Sequence, residues 1–289
     1  MTSNRRNFLR QTLIGSGIIA SGLAGNASVI QNISASESKK STAQSFNMCG
    51  YAAPKLDKVR IGFIGLGNRG PGAVERMSHI EGVEITALCD QYEDRVEKIQ
   101  KRLEKAGLPE AKSYSGSKDA WKALCENPDI DLVYITTPWA WHTPMAVYAM
   151  ENGKHACSEV PAAKTIDECW QLVETSEKTR KHCMMLENTC YDFFELLTLN
   201  MARQEFFGEI VHAEGAYIHT LLESNFDKNN YAEMWRLKEN FRNGNLYPTH
   251  GLGPISQAMN INRGDQMEYL TATSTNDFLM STKAKELAQ

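Results

Sequence analysis

No Cys-x-x-Cys pair occurs in this chain, no His-Glu-x-x-His and no Gly-x-Ser-x-Gly. These absences remove the common zinc and thiol-redox frameworks, the zinc-peptidase helix and the strand-to-helix nucleophile elbow. The seven cysteines, at 49, 89, 125, 157, 169, 183 and 190, are odd in number. Several lie in apolar runs, so they read as small buried hydrophobes rather than a disulfide set, and no metal site is expected. A basic surplus is also missing, since 31 Lys and Arg face 35 Asp and Glu for a net charge of −4. Residues 1–33 hold three of those arginines and no acid, so the remainder is more acidic still. Such a chain has little with which to neutralise phosphates, and a nucleic-acid partner is excluded. Finally, no two carboxylates stand at a spacing that marks conventional glycoside hydrolysis.

With 289 residues, 42% hydrophobic and 23% charged, the chain has material for one large packed domain or two ordinary ones. Its beginning does not read as fold. Arg5-Arg6 precedes an apolar stretch, Leu13 to Ala24, that is too short to span a bilayer. Residues 1–33 resemble a twin-arginine export signal, with Ala24-Gly25-Asn26-Ala27 as a candidate cleavage region. That resemblance implies the twin-arginine export machinery as a partner, a periplasmic destination and export in the folded state, with any cofactor already loaded. Residues 34–56 read as a linker, because Ser34 to Ser45 is a Ser/Ala/Lys/Gln tract.

From residue 57 to 187 strand and helix alternate. Val59 to Ile64, Glu84 to Cys89, Leu132 to Thr136, His155 to Ser158 and Cys183 to Glu187 are short apolar runs of strand length. Between them lie helical stretches. One runs from Gly70 to Met77, and one from Asp94 to Ala106 with Val96, Ile99, Leu103 and Ala106 on one face. A short one carries Trp121 and Leu124, and another runs to Glu151 with Pro144 near its start. The last opens on the capping box Thr165-Ile166-Asp167-Glu168 and runs to about Lys181. This order predicts an α/β doubly wound parallel sheet, covered on both faces.

Gly65-Leu66-Gly67-Asn68-Arg69-Gly70 follows the first strand and opens the first helix. Gly65 permits the tight turn, Gly67 lets backbone approach a pyrophosphate, and Gly70 lets helix and strand pack closely. The helix start then offers N–H groups to phosphate. Asp90 follows Gly70 by 20 residues, at a strand end, where a carboxylate accepts ribose hydroxyls and repels a 2′-phosphate. The cofactor expected is NAD.

Trp139-Ala140-Trp141-His142 and Glu159-Val160-Pro161 also follow strands, on the edge where open α/β sheets bind ligands. A tryptophan there packs against a ring, and Glu159 is placed to hold a ribose or sugar hydroxyl. After Glu187 the alternation stops. Glu209 to Thr220 and Glu268 to Ser274 read as strands, and Pro254 to Asn260 reads as helix. Two strands that far apart make no stable sheet. Residues 188–289 therefore read as an incomplete second domain of α+β type. His250 stands before a Gly-rich helix start, where the helix dipole keeps an imidazole neutral, as a base requires. Tyr191 and Tyr247 are candidate proton-transfer partners for it.

Val59 to Gly70, Asp90, Gly153-Lys154-His155 and Glu159-x-Pro161 resemble the Gfo/Idh/MocA family, whose usual Glu-Lys-Pro motif here has Val160 in place of the lysine. Trp139-x-Trp141-His142, Glu159-Val160-Pro161, Glu187-Asn188 with Cys190-Tyr191, and Tyr247-Pro248-Thr249-His250 resemble its glycoside hydrolase family 109 branch. The resemblance implies that residues 188–289 are a substrate domain with mostly antiparallel strands, in an α-N-acetylgalactosaminidase that takes a glycan with terminal N-acetylgalactosamine and holds NAD tightly. Hydride leaves carbon 3, the proton on carbon 2 becomes acidic, the aglycone is eliminated, water adds, and hydride returns, with no net redox change. It also implies that Asn68, Arg69, Asp90, Trp139 to His142, Glu159, Val160 and Asn188 contact NAD, while Tyr217, Arg236 and Tyr247 to His250 contact the sugar. The alternatives are an exported sugar oxidoreductase with net cofactor turnover and an inactive sugar-binding relative. A homo-oligomer stays open.

Overall fold

The computed structural model describes residues 44, 46–227, 229, 231–242, 244–276 and 278–287. The export-signal segment, residues 1–33, and most of the Ser-rich tract lie outside the described residues.

Six parallel strands form one sheet in the order β3-β2-β1-β4-β5-β6. They are β1 (Val59–Ile64), β2 (Val83–Cys89), β3 (Lys112–Tyr114), β4 (Leu132–Ile135), β5 (His155–Ser158) and β6 (Cys183–Met185). The crossover helices are α1 (Gly70–Ser78), α2 (Glu93–Lys105), α3 (Ala120–Glu126), α4 (His142–Glu151) and α5 (Ile166–Thr179). Period-two alternation splits the four central strands between two cores. Ile61 and Phe63 pack with Val96, Ile99 and Leu103 of α2. Ile64, Val133 and Ile135 pack with Met145, Ala149 and Met150 of α4. Both faces are thus covered, which is why the central strands read as unbroken apolar runs. The chain reverses its direction of winding between β1 and β4, so the loops leaving those two strands lie side by side at the carboxyl edge.

Local signals place the helices well. The capping box forms, with Glu168 N–H donating to Thr165 Oγ1 at 3.1 Å and Thr165 N–H donating to Glu168 Oε2 at 3.3 Å. Val96, Ile99 and Leu103 are buried, but Ala106 is the exposed cap just past α2. β3 carried no sequence signal, because three largely exposed residues show no pattern.

Four expectations need correction. Residues 44 and 46–51 are not free linker. Gln44 donates to Glu177 at 2.5 Å, Phe46 lies under the Arg180 guanidinium at 4.9 Å, and Tyr51 packs on His182 at 5.4 Å. The polar tract ends at Ser45, and the apolar side chains after it find the end of α5. The helix read from Pro254 instead begins earlier, as Thr249–Ala258, with Pro254 inside it. Neither Glu209 to Thr220 nor Glu268 to Ser274 forms a strand, because neither segment has a pairing partner among the described residues. Cys89, Cys125, Cys157 and Cys190 are buried as expected, but Cys49 and Cys169 are exposed; all seven are free thiols.

The segment from residue 188 on holds the helices α6 (Phe193–Arg203), α7 (Leu222–Phe226), α8 (Trp235–Glu239), α9 (Thr249–Ala258) and α10 (Met280–Leu287). Much of its apolar surface is uncovered, including Phe193, Phe194, Phe206 and Ile218. Its helix α9 packs on the 3-10 turn Asn188–Tyr191, which follows β6 in the chain.

Candidate functional site

The glycine turn is built for close approach. Gly65 has φ +94°, and a Cβ on Gly70 would lie 2.1 Å from the Gly65 carbonyl oxygen. Thr136, at the end of β4, closes the turn from the other side, its N–H donating to Ile64 O at 2.9 Å and its hydroxyl to Gly65 O. A Cβ on Gly67 would meet only the tip of Arg95, at 3.3 Å. Helix α1 starts at Arg69 without a side-chain cap, so its first N–H groups face the loop unserved. Space above Gly67 and free N–H groups together fit a pyrophosphate.

Asp90 is 5% exposed. It accepts Leu66 N–H at 2.7 Å and Tyr92 N–H at 3.0 Å, with Arg95 3.5 Å away. It therefore braces the glycine turn through Oδ2, which Arg95 also reaches, and keeps a lone pair on Oδ1 for a ribose hydroxyl.

A cleft of about 730 Å³ runs from Asp90 and Arg95 past Gly67 to Tyr247 and His250. Gly65, Gly67, Asn68, Arg69, Asp90, Trp139, Ala140, Trp141, His142, Glu159, Val160 and Asn188 all line it. Gly70 does not, because it lies beneath the turn as a packing residue. His142 is buried, with Nδ1 2.8 Å from Pro161 O and Nε2 2.8 Å from Thr137 O. Burial lowers its proton affinity despite those carbonyls and nearby Glu159. Its ring ties together the two loops that follow β4 and β5. Glu159 is held by Arg69 at 3.2 Å rather than standing free.

At the far end the two segments share an aromatic wall. Trp139 stacks on Tyr247 at 5.6 Å, Tyr247 lies 4.9 Å from Tyr217, and Tyr247 meets His250 edge-on at 4.8 Å. Arg236 sits over Trp139 at 5.2 Å and over Tyr247 at 5.3 Å. Burial pushes the Tyr247 phenol up to about 12, with Arg236 partly opposing it.

The structure divides the expected sugar contacts. Tyr217, Arg236, Tyr247 and His250 line the cleft. Pro248 and Thr249 face a second cavity on the other side of the segment. The chain turns into α9 here, and a helical turn puts 247 and 250 on one side and the residues between them on the other. Tyr191 is not brought to the cleft and is 56% exposed. The turn that carries it buries its neighbour Cys190 against Gly253 of α9, which leaves Tyr191 outside.

The sequence reading did not single out Glu187 as a site residue. The Glu187 carboxylate lies 2.5 Å from His250 Nδ1. The available signal was an acid at the carboxyl end of a strand, which Asp90 after β2 and Glu159 after β5 share. Arg95 and Trp235 line the cleft without having been singled out.

Comparison with known proteins gives two family matches. Residues 59–187 match the oxidoreductase family with the NAD-binding Rossmann fold, and residues 191–286 match the glycosyl hydrolase 109 C-terminal domain. The chain is 57% identical over 247 residues to a glycosyl hydrolase family 109 protein 1 of Bacteroides fragilis (strain YCH46), covering 83% of this chain and 53% of that one. It is 61% identical over 223 residues to a glycosyl hydrolase family 109 protein of Porphyromonas gingivalis, covering 77% and 47%. It is 53% identical over 249 residues to an alpha-N-acetylgalactosaminidase of Bacteroides fragilis, covering 85% and 58%. The chain thus spans about half the length of these relatives.

Proposed function

Because the chain joins an NAD-binding Rossmann domain to a match with the glycosyl hydrolase 109 C-terminal domain and so belongs to glycosyl hydrolase family 109, we propose that it is a glycosidase that releases terminal α-linked N-acetylgalactosamine. The observation that carries this reading is the meeting in one cleft of a pyrophosphate-shaped glycine turn and the His250 imidazole, which Glu187 holds from behind. Bound NAD supplies reversible hydride removal at a sugar carbon, which acidifies the neighbouring C–H. The protein's own groups do the rest. Asp90 takes a ribose hydroxyl, and the N–H groups at the start of α1 take the pyrophosphate. The face of the sugar packs on Trp139, Tyr217 and Tyr247, while Arg236 donates to its hydroxyls. His250 Nε2 removes the acidified proton, and the C–H electron pair expels the aglycone. Tyr247 stays protonated and acts as a donor to substrate oxygen. Val160, buried where the wider family has lysine, offers no ammonium for ordinary dehydrogenase chemistry. On the twin-arginine segment we place this activity outside the cytoplasm, where a cofactor regenerated in every turnover needs no external pool.

The test uses purified protein with no cofactor added. Denatured protein is assayed for released NAD, and native protein is given p-nitrophenyl α-N-acetylgalactosaminide. Bound NAD, nitrophenol release and no net NADH support the hydrolase. NADH accumulation on sugar favours the oxidoreductase. Bound NAD with neither activity favours a sugar-binding relative.

A further inference from the structure

Glu187 does not line the cleft. It stands two residues past β6, 5% exposed, behind His250. Its Oε1 accepts three hydrogen bonds, from His250 Nδ1 at 2.5 Å, from Thr189 N–H at 3.1 Å and from Thr189 Oγ1 at 2.7 Å. Burial pushes its carboxyl up, but the bonds from His250 and Thr189 outweigh that and hold it below the usual range. An ionised carboxylate accepts only, so the proton between the two groups is on Nδ1. In the neutral ring the lone pair is then on Nε2.

The surroundings keep this orientation. Pro254 lies four residues after His250 within α9 and has no N–H to give to the His250 carbonyl. Thr189 Oγ1 stands 3.0 Å from that carbonyl, so its one O–H is shared between it and Glu187 Oε1. A proline that weakens the helix thereby fastens His250 to the Rossmann side. Glu187 and Thr189 belong to the loop after β6, and His250 belongs to the second segment. The pair therefore also fixes where the imidazole stands relative to the glycine turn.

We propose that Glu187 is the positioning residue of the cleft's base: it holds His250 in the Nδ1–H tautomer, presents Nε2 as the proton acceptor, and stabilises the imidazolium that forms. This rests on the reading of His250 as the base, but its first test needs no turnover. Long-range proton–nitrogen spectra of histidine-labelled protein, assigned with His250→Gln, report the His250 tautomer directly. The expected result is Nδ1–H in the wild type and loss of that preference in Glu187→Gln. On p-nitrophenyl α-N-acetylgalactosaminide, Glu187→Gln should lower kcat about 10²- to 10⁴-fold with KM within about twofold and bound NAD retained. Glu187→Asp should recover part of kcat. An Nε2–H tautomer in the wild type, or an unchanged tautomer and kcat in folded Glu187→Gln, overturns the proposal. Should the wild type release no nitrophenol, the functional reading falls while the spectra still decide this one. Should Glu187→Gln fail to fold, the wild-type tautomer and Glu187→Asp decide it.

Discussion

The Lys164 ammonium meets the Glu239 carboxylate at 2.9 Å, joining the loop after β5 to the end of α8. Both side chains are largely covered, at 19% and 13% exposure, and Arg242 reaches the same carboxylate at 3.2 Å. The arrangement makes the two ends unequal. Lys164→Met leaves Glu239 with Arg242, whereas Glu239→Ala leaves a partly buried ammonium without its carboxylate. Removal of one partner from a covered pair is the damaging change. Glu239→Ala should cost about 2 kcal/mol and Lys164→Met about 1 kcal/mol, after discounting for solvent at the rim. Glu239 also lines the cleft, so its loss should speed the release of bound NAD. Chemical denaturation and the rate of NAD loss on dilution check both statements. Equal effects of the two substitutions would contradict the asymmetry.

Gly70→Ala is expected to disable the glycine turn. Its new Cβ would stand 2.1 Å from a backbone oxygen that has nowhere to move, since Thr136 holds the other side. The loss should exceed about 3 kcal/mol, in the range of forced overpacking, and bound NAD should disappear. Gly72→Ala, two residues on in the same helix, is the control. There a Cβ meets only the tip of Arg76 at 3.1 Å, and the helix gains up to about 1 kcal/mol in propensity. NAD content and thermal midpoint of the two variants make the comparison.

Asp131 gives the protein an acid-labile contact. It receives Arg60 Nε at 3.0 Å, Arg60 Nη2 at 2.9 Å and the Arg60 N–H at 2.9 Å. The Arg60 side-chain hydrogen bonds lower its pKa, burial opposing them in part. The folded state thus binds this proton less readily than the unfolded chain. The stabilisation is complete above the unfolded value, about 3.9, and is lost as pH falls through the lower folded value. Wild type should be more stable than Asp131→Asn at neutral pH, and the difference should shrink only below about pH 4. Thermal midpoints of both proteins across pH 2 to 7 check this. A gap that closes already near pH 6 would assign the effect elsewhere.

How much of this was legible from sequence follows from the range of each interaction. Five of the six strands, the glycine turn and Asp90 are written in contiguous residues, through apolar runs, a Gly spacing and an acid at a strand end. The capping box at Thr165 is equally local. The pairing of Glu187 with His250 spans 63 residues and depends on how α9 meets the turn after β6. No periodicity encodes that meeting. The split of Tyr247 and His250 from Pro248 and Thr249 turned on where α9 begins, and Pro254 argued for a start five residues too late. A proline inside a helix misleads wherever a tertiary donor, here Thr189, serves the carbonyl it leaves open. Glu209 to Thr220 looked like a strand by composition alone, yet a strand is a relation between two segments.

Tyr247 separates packing from chemistry. Its ring touches Trp139, Tyr217, His250 and the Arg236 guanidinium, so it joins the Rossmann segment to the second one. Its hydroxyl, pushed up to about 12, stays protonated across any working pH. Tyr247→Phe keeps the ring, so stability and bound NAD should change by less than about 0.5 kcal/mol and twofold respectively. If the phenol donates to substrate oxygen in the transition state, kcat should fall about 10- to 100-fold, with no change in the alkaline limb of the pH profile below pH 10. Tyr247→Ala removes the ring as well, and the lost aromatic contacts and burial should cost about 2 to 4 kcal/mol. An alkaline limb that vanishes in Tyr247→Phe would make the group a phenolate base instead. That outcome would move the proton acceptor from His250 to Tyr247 and leave Glu187 holding a histidine that only binds.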